Sequence, residues 1–387
     1  MDSAAYVVGA FEHPARRAED KSVAQLHAEV AWGALQDAGL TRDDVDGYFC
    51  AGDAPGLGPL NMVEYLGLDR LRHFDSTDVG GSSYLAHVAH AHEAIAAGKC
   101  SVALITLAGR PRSEASRGTV VRPVGPTVPD DPFEGPFGRT TVSGYALCAA
   151  RHMHEFGTTS EQLAWVKVAA SHHAQHNPNA MLRTVVTVEE VLASPMVSDP
   201  LHRLDCCVVS DGGGALIVAR REVARSLGRP RIKVRGAGEA IKHQNGGYVD
   251  LTWSGARWSG PAAFAEAGVT PADIKYASIY DSFTITVLMQ LEDLGFCDKG
   301  EGGRFVADGN LISGVGRLPF NTDGGGLCNN HPANRGGITK VIEAVRQLRG
   351  EAHPSVQVPN CDLALAHGTG GMLSARHGSA TLILERE

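Results

Sequence analysis

Residues 34–45 read ALQDAGLTRDDV, and residues 263–274 read AFAEAGVTPADI. Ala38-Gly39, Thr41 and Asp44 recur as Ala267-Gly268, Thr270 and Asp273, each 229 positions later. In both copies a helix is expected to stop at glycine, and a threonine then opens a short turn into a strand. The order of elements repeats as well. Gly80-Gly81 precedes a helix-forming run that ends at Gly98, and the strand-like SVALITLAG follows. In the second half NHPANRGG (330–337) precedes ITKVIEAVRQLRG, and DLALAHGTGG follows. Such repetition dictates architecture more strongly than composition does. Strand-like and helix-like segments alternate along the whole chain, which places it in the α/β class. The expected division is a first half, 1–225, carrying an insertion at about 110–200, and a second half, 226–387.

Duplication has a chemical consequence. If the halves pack about a pseudo-twofold axis, loops 78–83 and 329–336 meet near that axis, each feeding a helix N-terminus. Helix starts carry unpaired N–H groups and partial positive charge, so two of them converging make an anion-stabilising pocket.

The remaining composition excludes several classes. A net charge of −8 without a block of like charge argues against a nucleic-acid surface. The N-terminal MDSAAYVVGAFEHP lacks a basic region before its short apolar run, so it does not read as a signal peptide. No apolar run approaches the ~18 residues needed to span a bilayer. The eight cysteines form no CxxC pair, so neither a disulfide framework nor a zinc site is expected. His87 with His90, and His172 with His176, have helical metal-binding spacing but no third ligand, so no metal is expected. A cytoplasmic protein is the simplest expectation.

Four segments together carry a family resemblance: CCVVSDGGGALIV (206–218), IYDSFTITVLMQLEDLGFCDKGEGGRF (279–305), NTDGGGLCNNHPANRGG (321–337) and LAHGTGGMLSARHGSATLIL (365–384). The chain resembles the thiolase superfamily, and within it the sterol-carrier-protein-x-type thiolases and lipid-transfer-protein aldolases. The resemblance implies a thiolase fold, with duplicated βαβαβαββ halves in five layers, αβαβα. It also implies an acyl-CoA substrate, no separate cofactor, a homodimer, and a small zinc-ribbon/OB-fold partner protein that would hold any zinc.

Where this chain departs from the family is informative. A thiolase attacks with a cysteine at the mouth of the first buried helix, and here Gly81 stands at that position. The family's second cysteine matches His367. The carrier-protein signature His-Asp-Cys-Phe reads Tyr280-Asp281-Ser282-Phe283, while the histidine of the Asn-His-Pro motif persists as His331. Without a thiolate at residue 81 no acyl-enzyme forms there, and Ser82 or Ser83 would need a paired base.

The parts left suit a retro-aldol reaction on a β-hydroxyacyl-CoA, with a steroid side-chain thioester as the expected substrate. In this reading Tyr280 sits at a strand end, where a neighbouring donor or cation lowers its pKa from ~10 for acid or base work. His331 donates to the thioester oxygen or shares the proton with Tyr280, and Asp281 orients neighbouring backbone. His367 precedes a glycine turn whose Gly370 and Gly371 supply N–H donors. Gly80, Gly81 and Ser82 leave room for a bulky acyl chain. Two alternatives stand beside this one: an acyltransferase using a displaced cysteine such as Cys328, and a catalytically silent scaffold subunit.

Overall fold

A computed structural model describes residues 4–116, 131–138, 140–243, 248–333 and 335–387. Its strands are β1 (Ala5–Glu12), β2 (Gly47–Phe49), β3 (His73–Asp75), β4 (Val102–Gly109), β5 (Met196–Ser198), β6 (Leu201–His202), β7 (Gly212–Arg220), β8 (Ile232–Lys242), β9 (Tyr276–Ile279), β10 (Leu363–Gly371) and β11 (His377–Arg386). Helices of ten residues or more, among those described, are α1 (Val23–Ala38), α2 (Ser83–Ala96), α3 (Thr141–Phe156), α4 (Ser160–Ala174), α5 (Ala256–Ala267), α6 (Thr284–Asp293) and α7 (Gly337–Arg349).

The sequence echo is repeated atom by atom. Helix α1 ends at Gly39 with φ 68° and α5 ends at Gly268 with φ 64°, the left-handed conformation that glycine adopts without strain. Thr41 N–H then donates to Asp44 Oδ2 at 2.8 Å, and Thr270 N–H donates to Asp273 Oδ2 at 2.8 Å. Each turn delivers the chain to a short parallel strand, β2 or β9.

Nine strands follow the order β3-β2-β4-β7-β1-β8-β11-β10-β9. Read inward from its two ends the order is mirrored, since β2-β4-β7-β1 corresponds to β9-β10-β11-β8. The two sides meet where β1 pairs antiparallel with β8, Tyr6 opposite Lys233 and Val7 opposite Ile232. No strand among those described takes the place of β3 on the second side.

Three apolar clusters give the layers. One lies between α1 and the outer face of β1, β2, β4 and β7, with Val30, Leu35, Tyr48, Leu104 and Ile217. A second surrounds α2 and α7, whose Leu85, Val88, Ile338 and Val345 are sandwiched between inward-facing residues of both sides of the sheet. A third packs α3, α4, α5 and α6 on the outer face of β9–β11. The result is the five-layer αβαβα arrangement. Along β10 the pleat alternates: Ala364 and Ala366 join the central layer, whereas Leu363 and Leu365 join the outer one. Helices α3 and α4 come from the insertion between β4 and β7, yet they cover the second half. No helix among the described residues is long and apolar enough to cross a membrane.

Candidate active site

The two central helices start against each other. A tight turn at Gly80–Ser82 leads into α2, and a π-helical turn at Gly325–Asn329 precedes α7 in the chain. A Cβ on Gly337 would collide with the carbonyl of Gly81, so close approach of the two helix mouths requires glycine there. Gly80, at φ 67°, lies against β10, where a Cβ would sit 2.7 Å from the Cα of Gly370.

Gly81 has no room for a side chain. A Cβ built on it would lie 2.6 Å from Tyr280 Oη and would also strike the carbonyl of Thr369. The phenol of Tyr280 therefore fills the space a side chain at residue 81 would occupy. The expectation that Gly80 and Gly81 leave room for an acyl chain is corrected: a residue 199 positions downstream takes up that room.

Tyr280 follows β9, and its N–H donates to the His367 carbonyl at 3.0 Å. One pleat beyond Ile279, it turns into the central layer. Its Oη lies 2.8 Å from Nε2 of His331, with the rings edge to face at 5.5 Å and 80°. Ser210 Oγ accepts the His331 backbone N–H at 2.9 Å and fixes the loop. Burial raises the phenol pKa well above its usual value, with the nearby Tyr145 and Cys207 acting the same way and the Gly336 N–H opposing them. Burial lowers His331 to about 4. The expected lowering of the Tyr280 pKa is thus reversed. Both members are neutral at neutral pH, because each charged form would lose hydration that nothing replaces.

Asp281 points elsewhere. Its Oδ1 accepts Gly326 N–H at 2.8 Å and Lys340 Nζ at 2.7 Å, and its Oδ2 accepts Leu327 N–H at 3.1 Å. It orients backbone, holding the turn before His331 to the first turn of α7. Asp281 and Lys340 are 1% and 2% exposed, so Asp281→Asn leaves an uncompensated buried ammonium. We expect a loss of about 3–5 kcal/mol in denaturant unfolding, most of it recovered in Asp281→Asn/Lys340→Met, where no orphan charge remains.

His367 lies in the register position opposite Thr381, and its Nδ1 is 2.8 Å from Thr381 Oγ1. Thr381 in turn meets Ser259 of α5 at 2.9 Å. Strand alternation puts His367 on the outer face, beneath α5, on the opposite side of the sheet from Tyr280. The stretch HGTGG is not a turn either. Gly370 and Gly371 pair with Gly378 and His377 as the end of β10, and Gly370 backs the Val79–Gly80 loop. Ser82 is fully buried, and its hydroxyl donates to Val79 O at 2.7 Å; Ser83 donates to Gly80 O at 2.7 Å. Neither serine is free to attack.

Three residues that the sequence did not single out surround the pair. Ser210 and Cys207 come from the segment before β7, where Cys207 N–H donates to Ser282 O at 2.9 Å. Tyr145, on α3, is 4% exposed, and its ring packs against Phe283 at 4.3 Å and 34°. Burial pushes its phenol up to about 12. Cys206 and Cys207 are raised by burial to about 11 and about 12, and Cys328 is raised as well, so none carries a thiolate near neutrality. Among the described residues no cluster of three His, Cys, Asp or Glu side chains could hold a metal.

Comparison with known proteins gives the family. Residues 231–386 match the family model described as Thiolase C-terminal domain-like. The chain is 34% identical to an acetyl-CoA acetyltransferase of Methanothermobacter thermautotrophicus, over 91% of this chain and 92% of that one. It is 35% identical to a steroid side-chain-cleaving aldolase of Thermomonospora curvata, over 96% of both. The chain belongs to the thiolase superfamily. A solved structure titled Ltp2-ChsH2(DUF35) aldolase superposes with a TM-score of 0.89 at 33% identity, covering 99% of this chain and 98% of that one. Within this fold, Tyr280 and His331 lie at the junction of the two central helices, with Gly81 against the Tyr280 phenol.

Proposed function

We propose that the chain is an acyl-CoA retro-aldolase that cleaves a β-hydroxyacyl-CoA, a steroid side-chain thioester, into a ketone or aldehyde and a shortened acyl-CoA. The observation that carries this reading is the interlock of Gly81 with the Tyr280 hydroxyl, itself 2.8 Å from His331. It removes the acyl-accepting atom of a thiolase and puts a neutral proton relay in its place.

The relay suits a carbon–carbon cleavage that forms no acyl-enzyme. As the Cα–Cβ bond breaks, its electrons move onto the thioester, and the β-carbon becomes a carbonyl. The β-hydroxyl proton passes to the Tyr280 oxygen while the phenol proton passes to His331 Nε2, so no free phenolate is formed in the buried site. The enolate oxygen forms beside the positive ends of α2 and α7. The same relay then returns a proton to Cα, and atoms and charge balance. Asp281 acts as a positioning group. His367 has a part only through β10, which it braces from the far side.

An acetyltransferase reading has support in the relative of that name, but it requires an attacking thiolate, and burial holds the thiols nearest the site protonated. A silent scaffold would not need a matched Tyr–His pair. Alkylation with iodoacetamide followed by incubation with β-hydroxyacyl-CoA thioesters separates these readings. We expect ketone and shortened acyl-CoA at an unchanged rate, with no acyl adduct on the protein by mass spectrometry. Thiol-dependent turnover, or an acyl group trapped on any side chain, overturns the assignment.

The assembly belongs to the same proposal. Halves 1–225 and 226–387 act as one catalytic unit in the cytoplasm, with CoA entering only as part of the substrate. A homodimer is supported by the edge strand β3, where Phe74 is exposed, and by exposed Leu57, Leu60 and Tyr65 in the segment between β2 and β3. The pairing of Ltp2 with ChsH2(DUF35) in that aldolase supports a small partner protein, for which a zinc-ribbon/OB-fold protein is proposed.

A further inference from the structure

The interlock at Gly81 closes the room once expected for the acyl group, so that group must be housed elsewhere. We propose that the fused-ring part of the substrate enters the apolar cavity between α3, the β10–β11 connection and residues 249–251. This rests on the retro-aldolase reading and adds the subsite that selects its acyl group. The cavity holds about 460 Å³ and is walled by Gly144, Leu147, Val249, Leu251, Met372 and Ala375. Pockets of ~300–1,000 Å³ with apolar walls and a few polar groups are the kind that enclose compact organic ligands.

Its position follows from the chain. Gly144 and Ala146 line the cavity, and Tyr145 between them turns inward to Phe283 and Ser282 beside the Tyr280–His331 pair. On the facing wall, Met372 directly follows Gly370 and Gly371, and Gly370 backs Gly80 at the mouth of α2. Both walls are therefore joined along the chain to residues of the catalytic junction. Two other cavities differ in character. One is lined by Glu12, Glu343, Arg346 and Asp323, and another by Trp253, Arg257, His243 and Lys242; neither suits a hydrocarbon skeleton.

The lining is matched to a rigid apolar body. A Cβ on Gly144 would lie 3.4 Å from Met372 Cε and 3.7 Å from Ser374 Oγ, ordinary contact distances, so the glycine opens the cavity floor without being required by the backbone. Leu147 is 59% exposed and presents an apolar side chain to the opening. Ser374 supplies a hydroxyl for a ring oxygen, and Arg376 and Glu134, an ion pair at 2.7 Å, also line the cavity.

The test compares two probes: the CoA thioester of a steroid carboxylic acid bearing a tertiary hydroxyl β to the thioester, and 3-hydroxy-3-methylbutyryl-CoA, whose cleavage gives acetone and acetyl-CoA. Gly144→Leu fills the cavity at a helical position where leucine is a better helix former than glycine. Leu147→Glu places charge at its opening on a solvent-facing position. In both variants we expect the ratio of kcat/KM for the steroid over the short probe to fall about tenfold or more, the scale on which apolar pockets discriminate. Thermal unfolding checks that both are folded. An unchanged ratio overturns the subsite, including the case in which only association with a partner protein changes. If the wild type cleaves neither probe, the retro-aldolase reading fails, and calorimetric binding of the steroid thioester to wild type and Gly144→Leu decides the subsite separately. Equal affinity then overturns it.

Discussion

Replacing Tyr280 with phenylalanine is expected to lower kcat for ketone release by about a thousandfold, within the ~10²–10⁴ range that a positioned acid–base group contributes. The substitution removes one oxygen and leaves the ring that fills the space opposite Gly81 and meets His331 edge to face. KM should therefore change little, because the substrate loses the proton relay and keeps its walls. The folded protein loses a hydrogen bond and leaves His331 Nε2 without its partner, which costs about 1–3 kcal/mol. His331→Ala should lower kcat as far, and the double variant little further, since the two groups move one proton as a unit. The pH dependence carries a separate signature. His331 must be neutral to receive the proton, and its pKa is about 4, so activity holds through the range where an exposed histidine would titrate and falls only as pH drops toward 4. No loss is expected on the alkaline side near pH 9, because the Tyr280 phenol is raised above its usual range. Full activity of Tyr280→Phe and His331→Ala would sink the relay.

How much of this was legible in the sequence depends on the distance over which each feature is encoded. The repeat was readable because helix stop and turn chemistry is local. Gly39 and Gly268 take the same left-handed conformation, and Thr41–Asp44 and Thr270–Asp273 make the same bond. The junction of the two helix mouths followed from that repeat, and the motifs around Tyr280 and His331 pointed to residues the fold brings to 2.8 Å. His367 went astray through strand geometry. Its motif placed it near the site along the chain, but one step of the pleat turns it to the far face and into Thr381. The glycines of HGTGG read as a turn because their pairing partner, β11, lies after them and carries no signal of register. The pKa of Tyr280 went the other way because burial, which only the packed layers reveal, outweighs any neighbouring donor. Tyr145 had no motif at all. It arrives on an inserted helix that packs across onto the opposite half, a long-range contact with no periodicity of its own.

Restoring the cysteine that the thiolase pattern places at residue 81 should not restore a thiolase. In Gly81→Ala, and more so in Gly81→Cys, the new Cβ lies 2.6 Å from Tyr280 Oη and against the carbonyl of Thr369. That carbonyl belongs to β10, whose pairing with β11 runs the length of both strands, so it cannot yield. The turn at residue 81 and the phenol must both move, and any rotation of the phenol that clears Cβ breaks its 2.8 Å bond to His331. We therefore expect Gly81→Ala to lose cleavage as completely as Tyr280→Phe, about a thousandfold. Overpacking should also cost about 1–3 kcal/mol in denaturant unfolding. Removing the phenol takes away one of the two clashes. In Gly81→Ala/Tyr280→Ala the loss of stability should be smaller than the sum of the two single-variant losses, because the contact with Tyr280 is gone while that with Thr369 remains, and cleavage stays absent because the proton relay does not return. In Gly81→Cys/Tyr280→Ala the thiol at the start of α2 gains room and the positive end of a helix, which lowers a thiol pKa. It should take up one equivalent of iodoacetamide that the wild type does not. Retention of cleavage by Gly81→Cys alone would mean that residue 81 and the phenol do not compete for one space, and the separation of this chain from acyl-enzyme chemistry would lose its physical basis.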